Sequence, residues 1–103
     1  MEYQLVLQIR GESLADFDAM INLEEQLYHD LNGIAEVDGH DMGCDEINVF
    51  IFTSDPRATF EQSKAALTRL ELLHDVKAAY RLVLQDTFIT IWPENSKHEF
   101  SVK

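Results

Sequence analysis

Positive charge is missing from nearly half of this chain. Between Arg10 and Arg57 there is no Lys or Arg, while the same stretch holds twelve acids from Glu12 to Asp55. After that gap, basic and acidic residues nearly balance, so the formal net charge of −11 belongs to the first half. A negative field of that size repels phosphate backbones and anionic lipid, which argues against nucleic-acid and membrane partners. It would attract a cation or a basic protein surface.

Other shortages exclude other classes. One cysteine, Cys44, cannot close an internal disulfide, so a disulfide-stapled secreted scaffold is excluded and a reducing cytoplasm is the expectation. Four glycines and two prolines leave no room for a long low-complexity linker. No apolar run approaches the roughly 18 residues a membrane span needs. The opening MEYQLVLQIR lacks a basic region followed by a long apolar one, so no signal peptide is expected. What remains is 103 residues with 46% hydrophobic content, which predicts one globular domain over 1–103.

Periodicity supplies the elements. Tyr3, Leu5, Leu7 and Ile9 point one way and Gln4, Val6, Gln8 and Arg10 the other, which predicts a strand that Gly11 ends. Ser13 with Asp16 reads as a helix start, and Leu14, Phe17, Ile21, Tyr28 and Leu31 recur at helical spacing up to the Asn32-Gly33 stop. A short strand is expected over Ile34–Val37, then a polar loop to Asp45, then a β-branched and aromatic strand over Glu46–Thr53. Asp55-Pro56 opens a second helix, expected to run to about Leu73. Strands over Val76–Leu84 and Thr87–Trp92, joined by a tight turn at Gln85-Asp86, complete the pattern before an irregular tail. The order predicts an α+β fold: a ferredoxin-like β-α-β-β-α-β antiparallel sheet with two helices on one face, plus an extra C-terminal strand.

The segments GHDMGCDEINVFIFTSDP, AAYR and ITIWP resemble small uncharacterised bacterial proteins with a ferredoxin-like fold. The resemblance implies the fold and brings no reaction with it, since this architecture hosts many unrelated activities.

Three groups of residues are candidates for function. The first is the predicted loop, where Asp38, His40, Asp41, Cys44, Asp45 and Glu46 offer carboxylate, imidazole and thiol groups. Their spacing matches neither an EF-hand nor a zinc motif, so no structural metal and no cofactor are expected. Cys44, His40 and Asp38 or Asp41 spell a nominal triad, but acidic neighbours oppose thiolate formation and working triads span separate rigid elements. No catalytic residue is assigned on this basis. His29 and His74 sit at predicted helix ends, where they complement the dipole, and His98 stands alone in the tail.

The second group is Phe50, Phe52, Phe88 and Trp92, expected on the sheet face that helices leave open. Their cover must come from the tail (Phe100 and Val102), a ligand or a second subunit. A homodimer through that face is the expectation, and a small-ligand binder or enzyme using it is the alternative function. The third group is the acidic helix face at Glu24, Glu25 and Asp30. It leads to the preferred function, a protein-interaction module of inhibitor or immunity type with a basic protein partner.

Overall fold

The computed structural model describes residues 1–11, 13–94 and 99–102, so His98 lies outside the described residues. Seven elements follow in order: β1 (Tyr3–Arg10), α1 (Leu14–Asp30), β2 (Ala35–Gly43), β3 (Glu46–Thr53), α2 (Pro56–Arg69), β4 (Lys77–Leu82) and β5 (Ile89–Trp92). The strands form one sheet in the order β2-β3-β1-β4-β5, with every neighbouring pair antiparallel. The arrangement is α+β, with the element order β-α-β-β-α-β-β.

The alternation in β1 sets the layers. Leu5, Leu7 and Ile9 stand opposite Ile51, Val49 and Ile47 of β3, and all six join one core with Leu23 and Leu27 of α1, its C-terminal cap Leu31, and Phe60, Ala66 and Leu67 of α2. Both helices therefore cover the same face. α1 lies over β2 and β3, while α2 lies toward β1. The opposite face holds Val6, which is fully buried although no helix reaches it.

The helix ends follow local chemistry. Ser13 Oγ accepts from Asp16 N at 3.1 Å, and Asp16 Oδ2 accepts from Ser13 N at 3.0 Å, a reciprocal capping box. Gly11 makes room for it: a Cβ there would lie 2.7 Å from Asp16 Cγ. Asp55 caps α2 by accepting from Ala58 N at 3.1 Å, with Pro56 in the first turn.

α2 stops at Arg69, four residues before the expected Leu73. Leu72 N donates to Leu67 O at 2.8 Å and Glu71 N to Thr68 O at 3.1 Å, while Glu71 takes φ 58°. That is a Schellman termination with glutamate where glycine is usual, so the sequence carries no visible stop. Leu70, Leu72 and Leu73 still pack on the core from the turn.

β2 is longer than its apolar residues suggest, and the expected polar loop is mostly strand. Pairing with β3 continues to Gly43↔Glu46, leaving only Cys44 and Asp45 as the turn. Both have positive φ, 52° and 63°, as a two-residue hairpin of right-handed twist requires. Asn-Gly is the familiar signal for such a turn, and Cys-Asp hides it. β2 is an outer strand, so Val37 and Met42 suffice to anchor it and polar residues can occupy the rest.

Trp92 is not on the open face. A register shift in the β4–β5 pairing sets Trp92 against Ala78, on the helix side, where its ring centroid lies 5.7 Å from that of Phe60. Its indole Nε1 donates to Leu73 O at 3.1 Å. The irregularity breaks the strict alternation that would have grouped Trp92 with Phe88.

Candidate functional site

The open face carries its own cover. Phe100 and Val102 pack with Val6, Ala79, Phe50 and Phe88, and the Phe88 and Phe100 ring centroids are 5.0 Å apart. Phe100 is 8% exposed. Phe52 stays half-buried opposite Gln4, outside this cluster. One polar side chain fastens the tail: Gln8 Nε2 donates to Ser101 O at 2.9 Å, and it also lies 3.1 Å from both Asn48 Oδ1 and Glu46 Oε2. Gln8 and Asn48 are buried, and the tail carbonyl is the nearest of three acceptors around the Gln8 amide.

The expected loop residues are dispersed by the strand they occupy. Asp38 sits at the register shift between Val37 and Gly39, Asp41 faces Asn48, and Cys44 and Asp45 form the turn. Glu46 begins β3 and accepts from Gln8. His40 alone turns to the helix side, opposite Val49. Among the described residues, no three His, Cys, Asp or Glu side chains converge as a metal-binding group.

His40 meets Glu24. Its Nδ1 is 2.7 Å from Glu24 Oε1, and Phe17 stands edge-on to the imidazole at 6.1 Å between centroids. Glu24 is only 8% exposed, so its carboxylate is withdrawn from the surface and ties α1 to the outer strand. A carboxylate that orients an imidazole is half of a base-activation device. The contact joins α1 to β2 across the layer. Spacing along one chain segment cannot reveal this contact, because the partners lie 16 residues apart on different elements.

Asp30 is also engaged. Arg69 Nη2 lies 2.5 Å from Asp30 Oδ2, and Arg69 Nε donates to Gln26 Oε1 at 2.8 Å. The hydrogen bond from Arg69, aided by its charge, holds the Asp30 carboxyl below the usual carboxylate range. Of the three helix acids singled out, Glu25 is the exposed one. His29 lies in the last turn of α1 as expected and is exposed, 3.6 Å from Asp30. His74 lies beyond the shortened α2, 3.3 Å from Asp75.

The exposed acids lie elsewhere: Asp18 and Glu25 on α1, Glu36, Asp38 and Asp41 on β2, and Asp45 at the turn. α1 lies over β2 and β3, whereas Glu36 and Asp41 stand opposite Phe52 and Asn48, on the helix-free face of the outer strand. Arg57 and Lys64 of α2 and Lys77 and Arg81 of β4 belong to the other half. The outer backbone edge of β2 has no partner strand among the described residues. No protein-family model, curated protein or solved structure matches this chain.

Proposed function

We propose that this domain is an acidic protein-interaction module of inhibitor or immunity type, acting in the cytoplasm, which docks a basic protein partner on its α1–β2 side. The carrying observation is the union of two features on β2: exposed acids and an edge that no strand pairs among the described residues. Acids on an edge strand discourage pairing with like-charged strands. They do not discourage a strand rich in Lys or Arg, which could add backbone hydrogen bonds and cancel the charge. The reading takes the domain as ferredoxin-like. Its support is the order of the first six elements and the strand order 2-3-1-4, with β5 as an addition at one edge.

The test starts with a photo-crosslinker at Asp41 to capture the partner, followed by association kinetics. Rates should fall steeply with salt, because the Debye length shrinks from about 10 Å at 0.1 M to about 3 Å at 1 M. Joint replacement of Glu36, Asp38 and Asp41 by Lys should slow association while leaving the fold intact. A partner whose binding ignores both salt and these replacements would remove the reading.

A second reading, a small-ligand site on the open sheet face, is favoured by one observation. A cavity of about 270 Å³ remains there, lined by Phe50, Arg81, Phe88 and Val102 among others.

A further inference from the structure

The two edges of the sheet are built in opposite ways. β2 carries exposed acids, but the eleven residues from Leu82 to Trp92 at the other end hold a single charge, Asp86. This end also concentrates exposed apolar side chains: Leu84 is 97% exposed, Ile89 49%, Leu82 37% and Val83 36%.

The apolar tip is held in place. Arg81 Nη1 donates to Val83 O at 2.7 Å, to Gln85 O at 2.9 Å and, more weakly, to Leu82 O at 3.4 Å. Its Nε donates to Gln4 Oε1 at 2.9 Å. Gln85 N closes the turn onto Leu82 O at 2.9 Å, and Val83 N is fixed to Glu2 O at 2.9 Å. One guanidinium is thus committed to presenting Leu84 to solvent. At the opposite end of β5 an open cavity of about 700 Å³ is lined by Thr68, Glu71, Leu73, His74 and Trp92.

We propose that the β4–β5 edge is a self-association surface, and that its occupant is a second copy of this chain, paired antiparallel through β5 about a two-fold axis. Antiparallel pairing of a strand with its own copy brings the start of one to the end of the other. The Leu84 tip of each copy is thereby carried to the Trp92 end of its mate, where the cavity lies. The same operation on β2 would set Glu36, Asp38 and Asp41 against acids of the mate, and β5 escapes that repulsion. A chain of net charge −11 can meet itself at low electrostatic cost only on a side where charge is sparse or balanced, and beside Ile91 and Trp92 the bases Arg57 and Lys64 offset Glu61 and Glu94. This inference is independent of the acidic-side reading, because the two use opposite edges.

Light scattering and sedimentation on the full chain, from low to high micromolar concentration, test it. The expected result is a monomer–dimer equilibrium. Leu84→Asp and Ile89→Lys, both at exposed positions, should each weaken it about tenfold or more. The triple lysine replacement at Glu36, Asp38 and Asp41 should not weaken it. Trp92, the only tryptophan, supplies a second readout, since its emission should shift on dilution with the same midpoint as dissociation. A monomer at high micromolar concentration overturns the proposal. So does a dimer that withstands both apolar-edge variants, with circular dichroism showing each variant folded.

Discussion

Replacing Phe100 by Ala removes the residue that lids the helix-free face. Its side chain covers Val6 and Ala79 and meets the Phe88 ring at 5.0 Å. Deleting a buried Phe side chain costs about 3–5 kcal/mol in a closed core. Here the lower end applies, about 3 kcal/mol, because the site lies under a single irregular tail segment that water can replace. An aromatic pair adds roughly 0.5–1.5 kcal/mol beyond burial, and that share is included in the figure. For a domain of this size each kcal/mol moves Tm by about 4–8 °C, so a fall of about 12–24 °C is expected. Urea melts followed by circular dichroism give the free energy, and binding of an apolar dye to the native state reports the uncovered face. The Gln8–Ser101 bond is a separate anchor, so Gln8→Ala should destabilise by a further small amount and not mimic the whole effect. A loss below about 0.5 kcal/mol for Phe100→Ala, the range of ordinary surface changes, would refute the tail as cover. The open face would then be available to a ligand or a second subunit, as the sequence alone allowed.

Two further expectations concern particular side chains. Glu71→Gly should raise stability by roughly 1 kcal/mol, because it relieves a left-handed backbone at φ 58° where a side chain is disfavoured. A neutral or negative result in urea melts would show that Glu71 contributes something beyond its backbone position. The Asp30–Arg69 pair should make stability pH-dependent in one direction. The folded carboxyl is held below its ordinary value of 3.8, so the stabilisation is present above that value and is lost as pH falls through the folded value. Arg69→Ala should therefore cost up to about 1 kcal/mol at neutral pH, Arg69 being half exposed, and the difference from wild type should shrink in strong acid to the share owed to the Gln26 bond. A difference that stays constant down to acid pH would contradict that account.

The elements that sequence reveals well are those whose signal is local. Ser13 and Asp16, the Asp55-Pro56 junction and the alternation of Leu5, Leu7 and Ile9 state their roles within a few residues, and the corresponding elements begin where expected. Three features are hidden because the signalling residue is absent. α2 ends on Glu71 instead of glycine, the β2–β3 turn uses Cys44-Asp45 instead of Asn-Gly, and the irregular β4–β5 register redirects Trp92. The acidic surface is hidden for another reason. Charge counted along the chain cannot separate Glu24, buried on His40, or Asp30, held by Arg69, from Glu25, which is exposed. Only the packing of α1 on β2 and on α2 decides which carboxylates face water.

That sorting bears on how the two proposed surfaces coexist. The Glu24–His40 contact joins α1 to β2, so the helix acids and the edge-strand acids are fixed relative to each other before any partner arrives. A preorganised charged side loses less freedom on binding than a mobile one. At the opposite edge Arg81 does the same for the apolar tip by gathering carbonyls of the turn. Pairing through β5 would turn both acidic sides outward, at the far ends of a continuous sheet. Each dimer would then present two equivalent docking sides, and two linked sites can bind a repeated or dimeric basic partner far more tightly than one. The dissociating variant Leu84→Asp separates the two levels of this arrangement. It should leave the association rate of one acidic side with its partner unchanged and shorten only the lifetime of complexes in which both sides are engaged. Should Leu84→Asp slow association at a single side, the apolar tip itself touches the partner, and the division of labour between the two edges is wrong.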